Sequence, residues 1–209
     1  SATAEIDGEG RLKAIIGVVE DITARKHTQV QIERHLQESE ALAVISQALN
    51  ETHNLDDILR MIVDAARQII PKAERAVIHL VDESASALRS AAVAGYDKAG
   101  RSEITMRPGE GVAGRVMSEG VPINVGDIRS DPRFLTLGRV PTIRSLLVAP
   151  VQSKQRRLGT ISVLSDAIDA FAEDDVRLLK ALGIQAALAI ENARLLAAES
   201  NACQEAEVL

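Results

Sequence analysis

Two helical patterns enclose a series of β-rich segments in this chain, and that order limits the possible folds more than any other feature. Apolar residues recur at helical spacing over residues 55–70 and again from Val176 onward. Between them lie four apolar runs of strand character, at residues 76–81, 88–94, 145–151 and 158–164. The order helix, strands, loop insertion, strands, helix predicts an α+β domain with one antiparallel sheet of five or six strands and helices on one face.

Turn residues divide the strands into two hairpins. Residues Asp82–Ser86 join the first two runs, and the basic segment Lys154–Arg157 joins the last two. Glycines and Pro108 predict loops over residues 95–111. A short helix over Val112–Glu119 should follow, and then an edge strand over Val121–Val125, because Pro122 cannot donate to a central ladder.

The residues before this domain have a different pattern. The β-rich run Arg11–Glu20 predicts one strand or a hairpin, and Ala24–Leu49 contains neither glycine nor proline, which predicts a long helix. Ile32 and Leu36 begin an apolar stripe along it. Leu42, Ile45 and Leu49 continue at heptad spacing in a shifted register, so the pattern predicts a coiled coil with a stutter.

Composition narrows the classes of partner. The formal charge is −6 and the basic clusters are short, which argues against nucleic acid as a direct ligand. No apolar run reaches the roughly 18 residues of a membrane span, so we expect no membrane contact by these residues. One cysteine, Cys203, cannot form an internal disulfide, which favours a reducing, cytoplasmic setting. The chain begins with Ser1 rather than methionine, and we expect a longer parent protein.

A series of segments occurs in an order typical of one family of sensory domains. They are Leu55–Ile70, Ala76–Asp82, Pro108–Gly114, Asp127 with Asp131–Phe134, Arg144–Pro150, Leu158–Leu164 and Phe171–Asp175. Together they resemble the GAF domain family over about residues 55–196. Residues 7–26 resemble the last strands and the exit of a PAS domain.

The resemblance implies four parts. These are a PAS tail over residues 1–23, a signalling helix or coiled-coil linker over 24–54, a GAF-like sensory domain over 55–200 and a tail over 201–209. The parent would then be a multidomain signalling protein of bacterial type, such as a sensor histidine kinase, a cyclase or a transcriptional activator. We expect a homodimer through the helices at 24–49 and 176–200, because both carry apolar stripes wider than one sheet face can cover.

The resemblance also implies a pocket between one face of the sheet and the loops from Gly95 to Pro141. Across the family such pockets take cyclic nucleotides, tetrapyrroles, metabolites or nothing. The expected function is therefore a small-molecule-binding regulatory module that relays a conformational signal through dimeric helices to an output domain. The alternative is a purely structural dimerisation module with an empty pocket. No catalytic triad, metal cluster or properly placed phosphate loop stands out in the sequence, so we do not expect an enzyme.

Individual residues bear on the kind of ligand. Cys203 lies beyond the domain, which argues against a covalent bilin, and the aromatic content of 1% argues against haem or flavin. A single cysteine cannot perform the dithiol chemistry of the methionine-sulfoxide-reducing members. The cyclic-nucleotide members imply an Asn-Lys, Phe, Asp-Glu signature. Here the corresponding residues are Ser165-Asp166, Phe171 and Asp174-Asp175, which keep half of that pattern.

The segment Gly109–Gly114 matches the dinucleotide pattern GxGxxG. It follows Pro108 rather than a long buried strand, and its helix leads to a proline-bearing edge strand, so loop-to-helix turn chemistry is the preferred interpretation. The backbone amides at Gly111 and Val112 remain candidates for contact with an anionic group of a ligand.

Five further side chains are candidates for ligand binding. His79 shares one face of a very apolar strand with Val77 and Val81, and it is either a hydrogen-bonded core histidine or part of a pocket. Thr160 and Ser162 share a polar face of a buried strand, where they bond to backbone or water, or line a pocket. Arg129 and Asp131 lie in the loop expected over the pocket, and internal ion pairs of a solvated loop are the alternative there.

Overall fold

The computed structural model describes residues 2–6, 12–17, 54–82, 84, 86–96, 105–135, 142–154 and 156–207, with side chains described within these ranges from 54 to 196. The chain divides into two compact units, Ser1–Gln37 and Glu38–Leu209. In the first unit, β1 (Ala2–Ile6) and β2 (Leu12–Gly17) form an antiparallel hairpin, and the sequence predicted one strand or a hairpin near here. The helix predicted over residues 24–49 lies outside the described residues.

The described residues of the second unit form a curled sheet with three helices. Its elements are α1 (Leu55–Ile69), β3 (Arg75–Asp82), β4 (Ala87–Ala94), β5 (Thr105–Met106), α2 (Gly111–Glu119), β6 (Ile123–Val125), β7 (Ser145–Gln152), β8 (Arg157–Ser165) and α3 (Glu173–Glu207). The six strands lie in the order β5-β4-β3-β8-β7-β6, and every neighbouring pair is antiparallel. The predicted fold class, an α+β domain with one antiparallel sheet, is confirmed.

Helix α1 begins where the sequence supplies a cap. The Asn54 side chain accepts a hydrogen bond from the amide of Asp56 at 3.0 Å, which satisfies one of the free amides of the first turn. Asp56 and Asp57 add negative charge at the positive end of the helix dipole. The apolar side of α1 is buried against the sheet.

Helices α1 and α3 cover one face of the sheet, which we call the helical face. Side chains from both helices and from the central strands form the larger core there, including Ile62, Ile78, Leu147, Ile161, Leu182 and Ile190, each fully buried. Each such side chain contributes roughly 1.5–3 kcal/mol by leaving water. These contacts hold both helices against the sheet.

The opposite face, which we call the α2 face, carries a second apolar cluster beneath helix α2. Val112 and Val116 of the helix pack there with Val77 and Val148 of the strands, and Ile128 joins them from the following loop. The sequence placed the helices on one face, which holds for α1 and α3 but not for α2. A short helix with few apolar side chains carries no signal for the face that it covers.

Helix α3 continues to Glu207, past the end near Ser200 that the apolar periodicity indicated. Its backbone packs closely on the sheet at Gly183, where an added Cβ atom would lie 2.3 Å from the carbonyl oxygen of Pro150 in β7. No helix among the described residues is long and apolar enough to cross a membrane.

Candidate functional site

Residues of four adjacent strands lie in one row across the α2 face, and Ser90 of β4 is paired with His79 at one end of it. His79 of β3 is paired in register with Thr160 of β8, and Thr160 is paired on its other side with Pro150 of β7. Directly opposite residues of antiparallel strands place their side chains next to each other. The register therefore brings together His79 and Thr160, which are distant in the sequence.

The row holds two polar atoms without partners. His79 is 6% exposed and Thr160 is fully buried. Neither Nδ1 of His79 nor Oγ1 of Thr160 has a hydrogen-bond partner among the described residues. Most buried polar atoms are hydrogen-bonded, because burying one without a partner costs about 1–3 kcal/mol. Two such atoms on paired residues are therefore atypical of a core that only stabilises the fold.

Burial sets the charge state of the histidine. Removal from water lowers the pKa of His79 to about 4, since the charged imidazolium loses its hydration. At neutral pH the ring is uncharged, and one of its nitrogens is a donor while the other is an acceptor. His79 can thus donate or accept a hydrogen bond without bringing charge to the α2 face.

The next row on the same face is largely apolar. Ser162 lies between Val77 and Val148 by register, and the residue is 3% exposed. Both valines belong to the cluster that contains Val112 at the start of α2. Ser162 therefore lies on the α2 face beside the row of His79 and Thr160.

The glycines of the segment Gly109–Gly114 are explained by the turn that leads into α2. Gly109 and Gly111 have φ angles of 85° and 65°, which favour glycine, and the Gly109 amide donates to the carbonyl of Gly114 at 2.7 Å. A Cβ atom at Gly114 would lie 2.3 Å from the carbonyl oxygen of Arg107. The strands of this sheet are antiparallel, so the segment does not open the parallel βαβ unit of a dinucleotide site.

Helix α2 is held differently at its two ends. At the first, the Glu110 side chain makes no capping bond to the helix, and its carboxylate accepts instead from the Arg107 amide at 3.0 Å. At the other, Arg157 of β8 donates to the carbonyls of Met117, at 2.8 Å, and of Ser118. The last carbonyls are therefore capped from the sheet, and Glu110 leaves the first-turn amides of Gly111 and Val112 uncapped.

The loop after β6 is fixed to the start of β7 by an ion pair. Arg144 donates to both oxygens of Asp127, at 2.7 and 3.2 Å, and these bonds lower the pKa of that carboxyl group. The amide of Ile128 also donates to the Arg144 carbonyl at 2.7 Å. This loop is therefore held against the sheet, with Ile128 buried in the cluster of the α2 face.

Asp131 and Arg129, the candidate site residues of this loop, form their hydrogen bonds within the loop. Asp131 accepts from the Arg133 side chain at 2.6, 2.9 and 3.2 Å, and this bonding lowers the pKa of its carboxyl group. Arg129 is exposed, and its amide donates to the Asp127 side chain at 3.1 Å. The Asp131 carboxylate thus has an internal partner, as in the ion-pair alternative raised by the sequence.

Comparison with known proteins identifies the family. The sequence model of the GAF domain matches residues 52–191, which is more than half of the chain. The chain belongs to the GAF domain family. GAF domains are typical of signalling and regulatory proteins.

Relatives of this GAF domain occur in proteins of several kinds. A Nif-specific regulatory protein of Azospirillum lipoferum is 27% identical over 124 residues, which are 57% of this chain and 20% of that protein. The chain thus spans about a fifth of the curated relatives that it matches. The GAF domain of a phosphoenolpyruvate-protein phosphotransferase from Coxiella burnetii is 23% identical with a TM-score of 0.69, and it covers 78% of this chain and 98% of its own.

An enzyme shares the same fold. The free methionine-R-sulfoxide reductase of Neisseria meningitidis, solved in complex with its substrate, is 21% identical with a TM-score of 0.66. The match covers 76% of this chain and 91% of the reductase. At this level of sequence identity, the structural similarity establishes a common fold and nothing about function.

Within this GAF domain, the structure groups some of the predicted site residues and separates others. It places His79, Thr160 and Ser162 on adjacent strands of one face, with Val112 in the cluster on that face. Arg129 and Asp131 take part instead in the contacts of their own loop.

Two residues that belong to this arrangement were not predicted as site residues. Pro150 flanks Thr160 in the row, and Arg144 fixes the loop through Asp127. Arg144 and Pro150 are the first and last residues of one of the segments that resemble the GAF family. That resemblance was the sequence signal available for these two residues. Their partners depend on strand register and loop path, which no local pattern encodes.

Proposed function

We propose that this chain is the small-molecule-binding regulatory part of a larger signal-transduction protein, and that the ligand site is the α2 face around His79 and Thr160. The observation that carries the proposal is the pair of buried, unpartnered polar atoms on these two residues. A ligand that hydrogen-bonds to both would recover the free energy that their burial costs.

The neighbouring residues support a site of this kind. Ligand sites are mostly apolar, with a few polar groups that fix orientation. Here the row of His79 and Thr160 lies beside Val77 and Val148, and the uncapped start of α2 belongs to the same face. The ion pair of Asp127 and Arg144 holds the loop that contributes Ile128 to this face.

The proposed output route is through helices. Helix α3 packs on β7 at Gly183 and extends to Glu207. We propose a homodimer through α3 and the predicted helix at 24–49, with a PAS tail before it and an output domain in a longer parent such as a sensor kinase, a cyclase or a transcriptional activator. The Nif-specific regulatory relatives, of which this chain matches a fifth, fit a regulatory parent.

We further propose that the chain acts by binding and not by catalysis. Its one cysteine cannot supply the two thiols of dithiol chemistry, and the described part of the chain contains no cluster of three or more metal-ligating side chains. The proposed setting is cytoplasmic, and the proposed ligand is a metabolite rather than a covalent bilin, haem or flavin.

The test is thermal unfolding of the chain against a panel of metabolites. A ligand that binds only the folded state raises the midpoint temperature, by an amount that corresponds to about 2.7 kcal/mol at a hundred times its Kd. We expect at least one such ligand for the wild type and no stabilisation by it for Thr160→Val. The exposed change Thr105→Val in β5 is the matched control and should keep the full response.

A second candidate function is a purely structural dimerisation module with an empty site. It is favoured by one observation, the exposed apolar side chains of Ile184, Leu188 and Leu195 on α3, which follow heptad-like spacing. A dimer with no ligand response across the panel would support this function and contradict the first.

A further inference from the structure

We propose that the site around His79 and Thr160 recognises an uncharged carboxamide-type group, one that presents a hydrogen-bond donor and an acceptor side by side. The inference rests on the proposed function and names the chemical class of its ligand. It follows from the two buried atoms without hydrogen-bond partners, Nδ1 of His79 and Oγ1 of Thr160, from the spacing of these side chains and from the charges around them.

The positions of the two side chains favour one ligand group that carries two hydrogen-bonding atoms. His79 and Thr160 are a directly paired couple on neighbouring strands, so their Cβ atoms are about 5 Å apart and both side chains leave the same face. The hydroxyl of Thr160 can donate and accept, while Nδ1 of a neutral ring does one or the other according to its tautomer. A carboxamide offers C=O and NH₂ side by side and can match either tautomer.

The charges on this face favour an uncharged partner. The His79 ring is neutral at pH 7, because burial disfavours its cation. Arg75, which is on the same strand and face as His79, is bonded to Asp166 at 2.8 Å. A carboxylate has only acceptors and would need a cation to offset its desolvation. None of the side chains in the His79 and Thr160 row supplies one.

Arg133 and Arg144 already have carboxylate partners, and the third arginine here, Arg129, is exposed. Arg144 is bonded to Asp127 at 2.7 Å and Arg133 to Asp131 at 2.6 Å, so each of these cations already has an anion beside it. An anionic ligand would have to compete with these carboxylates, whereas a carboxamide would not.

The experiment compares matched carboxamide and carboxylate probes on the whole 209-residue chain. The pairs are nicotinamide with nicotinate, benzamide with benzoate, and propionamide with propionate, at millimolar concentration and pH 7.5. Ligand-observed NMR gives the affinities. Ring ¹⁵N shifts of His79 report contact at the site, with the signal assigned by loss in His79→Gln.

We expect at least one carboxamide to bind ten times more tightly than its acid and to shift the His79 ring nitrogens. Thr160→Val should weaken that binding at least tenfold, and Thr105→Val should leave it unchanged. Thermal unfolding of each variant, recorded in parallel, shows whether the variant is folded.

Three outcomes would contradict the proposal. An acid that binds as tightly as its amide and shifts the His79 nitrogens would overturn the ligand class but leave the sensory function standing. Amide binding that ignores Thr160→Val would place recognition elsewhere. Absence of binding by all six probes would show that these two atoms do not recognise a carboxamide, and the metabolite panel then decides separately whether the sensory function fails as well.

Discussion

Thr160 keeps a hydroxyl group where water does not reach it. Its side chain is fully buried in the middle of three hydrogen-bonded strands, with His79 on one side and Pro150 on the other. Valine has nearly the same shape and lacks the polar atom. The unliganded fold would therefore be more stable with valine, and packing alone does not explain the threonine.

We accordingly predict that Thr160→Val stabilises the unliganded chain by about 1 kcal/mol, because it removes an unsatisfied buried hydroxyl. Urea unfolding followed by circular dichroism measures the change. Thr105→Val, at an exposed position of β5, should change the free energy of unfolding by less than about 0.5 kcal/mol. A loss of stability in Thr160→Val would mean that the hydroxyl has a partner in the folded protein.

The pKa of His79 makes stability depend on pH. Its value is about 4 in the folded chain against 6.5 for a free histidine. Below pH 6.5 the unfolded chain therefore binds a proton that the folded chain does not bind. The free energy of unfolding should fall as the pH drops from 6.5 toward 4, by about 2 kcal/mol between pH 7 and pH 5.

The control for this pH effect is His79→Leu, which removes the titrating group from the α2 face. The three other histidines are present in both proteins, so the difference between the two pH profiles reports His79 alone. Urea unfolding at pH 7 and pH 5 gives the two slopes. Equal slopes for the wild type and the variant would contradict the lowered pKa.

At this scale the sequence predicts types of residue but not their partners. Alternation identified His79, Thr160 and Ser162 as polar residues on buried strands. Alternation also placed Thr160 and Ser162 on one face of their strand, but the position of His79 on that face and its direct pairing with Thr160 depend on how β3 and β8 align. That alignment is set by contacts between distant parts of the chain, so it could not be predicted from either strand alone.

Among the elements, the long periodic ones were the best predicted. Helix α1, strands β3, β4, β7 and β8 and the start of α3 lie where apolar periodicity placed them, within one to three residues. Strand β5 was missed, because its two residues are too short to show a period, and it lies in a stretch predicted as loops.

Packing between elements predicts the effect of a change at Gly183. Alanine is the better helix former by up to about 1 kcal/mol, yet its Cβ atom would lie 2.3 Å from the carbonyl oxygen of Pro150. We expect Gly183→Ala to destabilise the chain by about 1–3 kcal/mol, since α3 must move away from β7. Lys180→Ala, at an exposed position of the same helix, should be nearly neutral. A stabilised Gly183→Ala variant, measured by urea unfolding, would contradict this close packing.

For the whole molecule, the exposed side chains of α3 predict assembly. Ile184, Leu188 and Leu195 are 41%, 45% and 63% exposed, and an isolated chain gains nothing from an apolar stripe in water. We predict a dimer at micromolar concentration and a monomer for the double variant Ile184→Glu and Leu188→Glu, as measured by sedimentation velocity. Val121→Glu changes a side chain of similar exposure, 57%, near the other face of the sheet and should remain dimeric. A wild-type monomer would contradict this role of α3.

Helix α3 has an anchored part and a projecting part. Gly183 contacts Pro150, the strand neighbour of Thr160, and the helix remains buried against the sheet as far as Ile190. From Ile190 to Glu207 the helical rise amounts to about 26 Å. A tilt of about 5° of the helix would therefore move Glu207 by about 2 Å relative to Ile190, which is more than the rise of one residue along the helix.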